Sequence, residues 1–184
     1  MAETGIPERL AARVIVLDPD DRLLLFRYDD PPPNGRHWNT PGGGLEPGEG
    51  FQAGAQRELI EETGWYDVRV LPEVVHRRTV IMEHGGRIVR QREQYFTARV
   101  LIARRPLGDV GSMHVTDGID GSGWWSVAEL ETTEQAIWPD GLAELVRRLT
   151  SRGGSAARDA GYPAAGEAIT GYQPAVAPTC AWKS

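Results

Sequence analysis

Alternating apolar residues mark Leu10–Leu17 and Arg22–Tyr28 as two β-rich runs, separated by the turn signal Asp18-Pro19-Asp20-Asp21. Pro31-Pro32-Pro33-Asn34-Gly35 interrupts regular structure, and a short extended piece, His37–Thr40, leads into a predicted loop at Pro41-Gly42-Gly43-Gly44 that Pro47-Gly48 prolongs. Helical character runs from Gly50 to Thr63, with Glu49 before the positive helix end and Gly64 as a stop. Beyond it, Asp67–Val70 and Val74–Met82 read as strands, and His84-Gly85-Gly86-Arg87 as a hairpin turn into Ile88–Ile102. The polar, glycine-rich stretch Asp109–Gly123 predicts a mobile loop over a site. Gly123–Val127 reads as a last short strand, and Ala128-Glu129-Leu130 starts a turn or short helix. Gly141–Thr150 is an amphipathic helix with Leu142, Leu145, Val146 and Leu149 on one face.

This order of elements predicts an α/β or α+β domain in which helices cover a mixed sheet. The predicted domain is 1–150. From Ser151 to Ser184 the composition shifts to Gly, Ala, Pro and Ser, which cannot build a core and reads as a tail. A length of 184 residues with 40% apolar and 25% charged residues suits one soluble domain with an appendage. The net charge of −6 disfavours nucleic acid and anionic membrane as partners. Lys183 is the only lysine, so positive charge is almost all arginine, which suits bidentate phosphate contacts. Cys180 is the only cysteine, no Cys/His cluster has zinc spacing, and neither a signal-peptide core nor a membrane-length apolar run occurs, so a cytoplasmic location is expected.

The chemistry concentrates between Gly43 and Trp65. At ~100° per residue, Glu58, Glu61 and Glu62 share an arc of about 100° on one helix face. Such crowded carboxylates repel one another unless a cation intervenes, and their oxygens suit a hard divalent metal. Glu49 could bring a fourth carboxylate to the cluster, while Ala55 and Leu59 point aside to anchor the helix. A solvated acidic face is the ordinary reading of Glu-x-x-Glu-Glu alone. Against it stand the preceding glycines, whose N–H groups can approach phosphate, Arg57 beside the acids, and the left-handed cap offered by Gly64.

Gly43, Glu49, Arg57, Glu58, Glu61, Glu62 and Gly64, with Leu59 and Trp65 in apolar slots, resemble the complete Nudix box. The resemblance implies an α/β/α sandwich with a mixed β-sheet and a Mg²⁺- or Mn²⁺-dependent hydrolase, MutT-like, that cleaves a phosphoanhydride bond in a nucleoside diphosphate linked to another moiety. It implies Glu49, Glu58, Glu61 and Glu62 as metal ligands, with a carbonyl of Gly42 or Gly43, and Arg57 holding Glu49 or another acid. The general base is left open between Glu58 and Glu93, with Glu93 also a candidate metal ligand or a strand charge paired with Arg90 or Arg92; Glu129, Glu131 and Glu134 are weaker candidates.

Substrate contacts could come from Arg27, Arg78 and Arg92, and from Trp38 or His37 stacking on a base, although core packing is the better expectation for Trp38. Signatures of the coenzyme A, ADP-ribose and diadenosine-polyphosphate types are missing. A (deoxy)nucleoside triphosphate is therefore the expected small-molecule substrate, with ADP-ribose or a nucleotide sugar second and a non-catalytic ligand sensor third. Residues 151–184 could also wrap a second subunit in a homodimer.

Overall fold

A computed structural model describes residues 5–32, 34–106 and 118–159, the last eight of these in backbone only. The chain divides into two units after Thr150. Among the described residues the first contains eight strands: β1 (Glu8–Leu17), β2 (Leu23–Asp29), β3 (Arg36–Asn39), β4 (Gly42–Gly44), β5 (His76–His84), β6 (Arg87–Arg99), β7 (Ile119–Trp125) and β8 (Ile137–Trp138). Among the described residues the helices are α1 (Phe51–Thr63), α2 (Val127–Thr132) and α3 (Leu142–Asp159).

The strands form one mixed sheet in the order β5-β6-β1-β2-β3-β8, with β4 also pairing β1 and β7 also pairing β2. β1 runs parallel to β6, whereas β1·β4, β2·β3, β2·β7 and β5·β6 are antiparallel. Because side chains alternate across a strand, β1 feeds two cores. Ala12, Val14 and Val16 meet Ala55 and Leu59 of α1, with Trp65, Val68 and Val70. Ile15 and Leu17 instead join Leu23, Leu25 and Trp38 beneath Leu130, Leu142, Leu145 and Val146 of α2 and α3. Both faces of the sheet are thus covered by helices, the α/β/α arrangement expected.

Several local elements differ from the sequence reading. Asp67–Val70 is not a strand, although Val68 and Val70 are buried. Its backbone groups bond to side chains of α1: Gln56 donates to the Val68 carbonyl (3.0 Å) and accepts from Val70 N–H (2.9 Å), and Gln52 donates to the Val70 carbonyl (3.1 Å). Two glutamines thereby substitute for a ladder, meeting the requirement that buried backbone groups be paired. Pro41–Gly44 is not wholly a loop, because Gly42–Gly44 pairs β1 as β4. The strand predicted through Ile102 ends at Arg99, leaving Leu101 and Ile102 exposed. The predicted mobile loop Asp109–Gly123 is in part strand, since β7 begins at Ile119; residues 109–117 lie outside those described. β7 ends at Trp125, so Val127 opens α2 rather than ending a strand, and β8 has no counterpart in the sequence reading. The last helix continues to Asp159 instead of stopping at Thr150. No helix among the described residues is long and apolar enough to cross a membrane.

The glutamine clamp gives a test of this packing. Gln56→Ala should lower unfolding free energy by about 1–3 kcal/mol, as expected for stranding two partly buried backbone groups. Urea denaturation reads this directly, and a loss below about 0.5 kcal/mol would remove the clamp from the account.

Candidate active site

The β4–α1 segment reaches the sheet through close backbone contact. A Cβ on Gly42 would stand 2.1 Å from the Ala12 carbonyl oxygen, and its φ of +131° is also unfavourable for other residues. A Cβ on Gly43 would instead meet the Glu58 carboxylate, 2.6 Å from Oε1. The glycines therefore let α1 lay its acids against the end of β1. Gly64, in the left-handed conformation (φ 70°), caps the helix by donating its N–H to the Ile60 carbonyl.

Arg57 organises the acids. Its Nε and Nη2 donate to the two Glu49 oxygens (both 2.9 Å), Nη1 donates to Glu58 (3.0 Å) and Glu61 (2.8 Å), and Nη2 also reaches the Gly44 carbonyl (2.9 Å). Its bidentate bond, with a backbone bond from Glu46, holds the Glu49 carboxyl down at about 2. Glu62 lies deeper, only 5% exposed, accepting from Gly42 N–H (2.8 Å) and Tyr28 O–H (3.1 Å). Burial pushes its carboxyl up to about 8, Arg13 opposing and Glu58 adding to the rise. Burial also raises Glu58, against the pull of Arg57.

Glu58 and Glu62 face a cavity of about 690 Å³. Arg9 and Arg13 of β1 and Arg78 of β5 stand in its lining, as do the apolar side chains of Val80 and Met82 and the ring of Trp138. Arg13 donates to the Thr40 (3.1 Å) and Gly42 (2.8 Å) carbonyls, and Arg9 bonds to Gln91. Glu93 is buried in the same wall. It accepts from Gln91 (2.8 Å) and Tyr95 (2.9 Å), and lies near Arg78 (3.4 Å) and Arg13 (3.5 Å). Burial alone would raise its carboxyl, but Arg13, Tyr95, Gln91 and Arg78 together hold it below the ordinary value. His37 stacks between Tyr28 (centroids 5.3 Å apart) and Trp138 (3.8 Å).

Among the described residues, no three His, Cys, Asp or Glu side chains converge as a ready-made metal site. Arg57 occupies the centre of the acid group. Even so, the donors fit a hard divalent cation: two carboxylates share the cavity wall, and burial alone leaves one of them strongly disfavoured as an anion.

Residues 7–149 match the family profile described as NUDIX domain. The chain belongs to the Nudix family. A Bacillus subtilis protein whose assigned name is 8-oxo-dGTP diphosphatase is 43% identical over 54 residues, 29% of this chain and 34% of that protein. An RNA pyrophosphohydrolase of Afipia carboxidovorans is 35% identical over 107 residues, 51% of this chain and 63% of that one. The chain thus spans from about a third to under two-thirds of the length of these relatives. The MutT protein of Methanosarcina mazei shares the fold at 18% identity, with a TM-score of 0.62 over 82% of this chain and 98% of that structure. Dihydroneopterin triphosphate pyrophosphohydrolase of E. coli does so at 15% identity, with a TM-score of 0.59 over 80% and 99%.

Within this Nudix domain the residues singled out from sequence separate into groups. Gly43, Glu58, Glu62, Arg78 and Glu93 line the cavity, whereas Glu49, Arg57 and Glu61 stand behind it as the ionic cluster. Three proposed substrate contacts lie elsewhere. Arg27 pairs with Asp120 (2.7 Å), Trp38 is core and donates to Gln135 (2.6 Å), and Arg92 pairs with Glu8 (3.3 Å) on the exposed face of β6. Glu93 contacts Arg13 and Arg78 rather than Arg90 or Arg92. Glu129 closes the capping box of α2 with Ser126, and Glu131 pairs with Arg147, so neither faces the cavity. Sequence reasoning passed over Arg9, Arg13, Tyr28, Gln91 and Trp138. The available clue was Arg13, a charge interrupting an apolar run whose two neighbours are buried on both sides.

The two glycines should respond differently to a methyl group. Gly42→Ala should cost about 3 kcal/mol or more, because rigid backbone and an unfavourable φ oppose it. Gly43→Ala should cost less, because only the end of Glu58 must move. Equal losses in chemical denaturation would contradict the close-approach account of β4.

Proposed function

We propose that this Nudix protein is a divalent-cation-dependent pyrophosphohydrolase of (deoxy)nucleoside triphosphates. The observation that carries this reading is one cavity whose lining combines carboxylates and arginines with apolar and aromatic side chains. Glu58, Glu62, Arg9, Arg13 and Arg78 share its wall with Val80, Met82 and Trp138, which offer surface for a base. The volume of about 690 Å³ falls within the range for small-molecule sites.

In this reading Glu58 and Glu62 hold Mg²⁺ or Mn²⁺ directly, with a glycine carbonyl of β4, and Glu49 and Glu61 complete the acid group through Arg57. The cation, when bound, neutralises phosphate oxygens and lowers the pKa of attacking water. Arg9, Arg13 and Arg78 attract the phosphate chain and fix its direction, leaving in-line attack to depend on geometry. Between the two candidate bases, Glu58 is favoured. Both Glu93 oxygens already accept bonds, and its cationic neighbours weaken it as a base; it serves instead to position Arg13 and Arg78.

The Bacillus subtilis relative's assigned name supports a nucleoside triphosphate. The RNA pyrophosphohydrolase names of other relatives favour a second reading, a triphosphate at an RNA 5′ end. The net charge of −6 disfavours a long polyanion, so the free nucleotide is preferred. An ADP-ribose or nucleotide-sugar substrate, or silent ligand sensing, stands behind both.

A product-resolved screen with Mg²⁺ should show pyrophosphate released from nucleoside triphosphates faster than from triphosphorylated RNA, ADP-ribose or nucleotide sugars. Chelation by EDTA should abolish turnover, and Glu62→Gln should lower it by at least about 100-fold while the fold is kept. Undiminished turnover in chelator or in the variant would overturn the assignment, and faster RNA cleavage would select the second reading.

A further inference from the structure

We propose that two copies of this chain associate through the outer edge of β5, pairing antiparallel about a two-fold axis at Val80 so that one sheet continues through both. β5 ends the sheet order, and among the described residues no strand pairs its outer edge. At nine residues it is a long edge to leave open, and edges of that kind template pairing with another strand.

The ladder fixes which backbone groups are available. Arg90 N–H donates to the Pro7 carbonyl on the β1 side, so Arg90 and its opposite residue Ile81 form a non-hydrogen-bonded pair within β5·β6. The hairpin agrees, since a two-residue turn of Gly85 and Gly86 (φ 58° and 73°) leaves His84 and Arg87 as a bonded pair. Even-numbered residues of β5 therefore bond to β6. Arg77, Thr79, Ile81 and Glu83 turn their N–H and C=O groups outward, and their side chains are exposed.

The side chains select one register. A two-fold axis perpendicular to the sheet keeps each face on the same side, so only same-parity residues can oppose one another. With Val80 opposite Val80, each Arg77 faces the second copy's Glu83, and the half-exposed Ile81 side chains (50%) meet diagonally between those pairs. Among the described residues, neither Arg77 nor Glu83 forms an ion pair within its own chain. Moving the axis to Thr79 or Ile81 loses both charge pairs, and moving it to Arg78 opposes two arginines. An apolar centre flanked by two opposite-charge pairs is self-complementary, as an isologous interface requires. On the cavity side, Met82 of the second copy comes beside Arg78, extending the wall formed by Val80 and Met82.

Sedimentation of the full chain should give twice the monomer mass. Ile81→Pro removes an outward N–H without touching the β5·β6 ladder, and should give a folded monomer. Arg77→Glu should weaken the dimer by about tenfold, and Arg77→Glu with Glu83→Arg should restore it. A monomeric wild type, a dimer that persists in Ile81→Pro, or a double reversal that fails to recover association would each overturn the proposal. If Ile81→Pro does not fold, the single and double charge reversals decide alone. Each outcome is independent of hydrolysis.

Discussion

Arg57 spreads its donors over Glu49, Glu58, Glu61 and the Gly44 carbonyl, and the rest of the site depends on that distribution. Without it, several carboxylates on one helix face would repel one another and splay toward solvent. With it, Glu49 is fixed as an anion behind the cavity, and β4 is tied to α1 through its last carbonyl. A planar guanidinium can serve these partners at once; a lysine ammonium could not match the fork presented to Glu49. Glu62 lies outside that reach, held by Gly42 N–H and the Tyr28 hydroxyl, and it bears the cost of burial.

The fold's contribution is to bring β4 and α1 against β1 at very short range. Packing on both faces fixes β1: α1 covers Ala12, Val14 and Val16, and α2 and α3 cover the opposite set. Toward its start the same strand carries Arg9 and Arg13, so the strand that anchors the core also delivers cations to the carboxylates. Its parallel pairing with β6 sets Glu93 opposite Ala11, within reach of Arg13. The carboxylates and cations of the cavity thus come from adjacent parts of one sheet and one helix.

How much of this was legible in the chain depends on how local each signal is. The acids, Arg57 and Gly64 share one helix and its caps, so spacing alone places them together. The covered sheet was also readable, from the alternation in β1 and β2 and the apolar stripe of α3. Arg9, Arg13, Gln91 and Trp138 reach the cavity from separate strands through pairings that leave no short-range trace. β4 was hidden because glycine has little strand propensity; its pairing follows from close approach to β1. Asp67–Val70 misled in the opposite direction, since its alternation reflects burial beneath α1 while glutamine side chains take its backbone bonds. Arg27, Trp38 and Arg92 had suitable chemistry, but their strand positions turn them toward an ion pair, the core and solvent.

Glu58 and the buried Glu62 form a pair of carboxylate donors that a divalent cation completes. Calorimetric titration of Mn²⁺ into the metal-free chain, with and without a non-hydrolysable nucleoside triphosphate, tests it most directly. Uptake should be saturable, and Glu58→Gln with Glu62→Gln should eliminate it while the fold persists. Absence of uptake by the wild-type chain under both conditions, or equal uptake by the double variant, would contradict it.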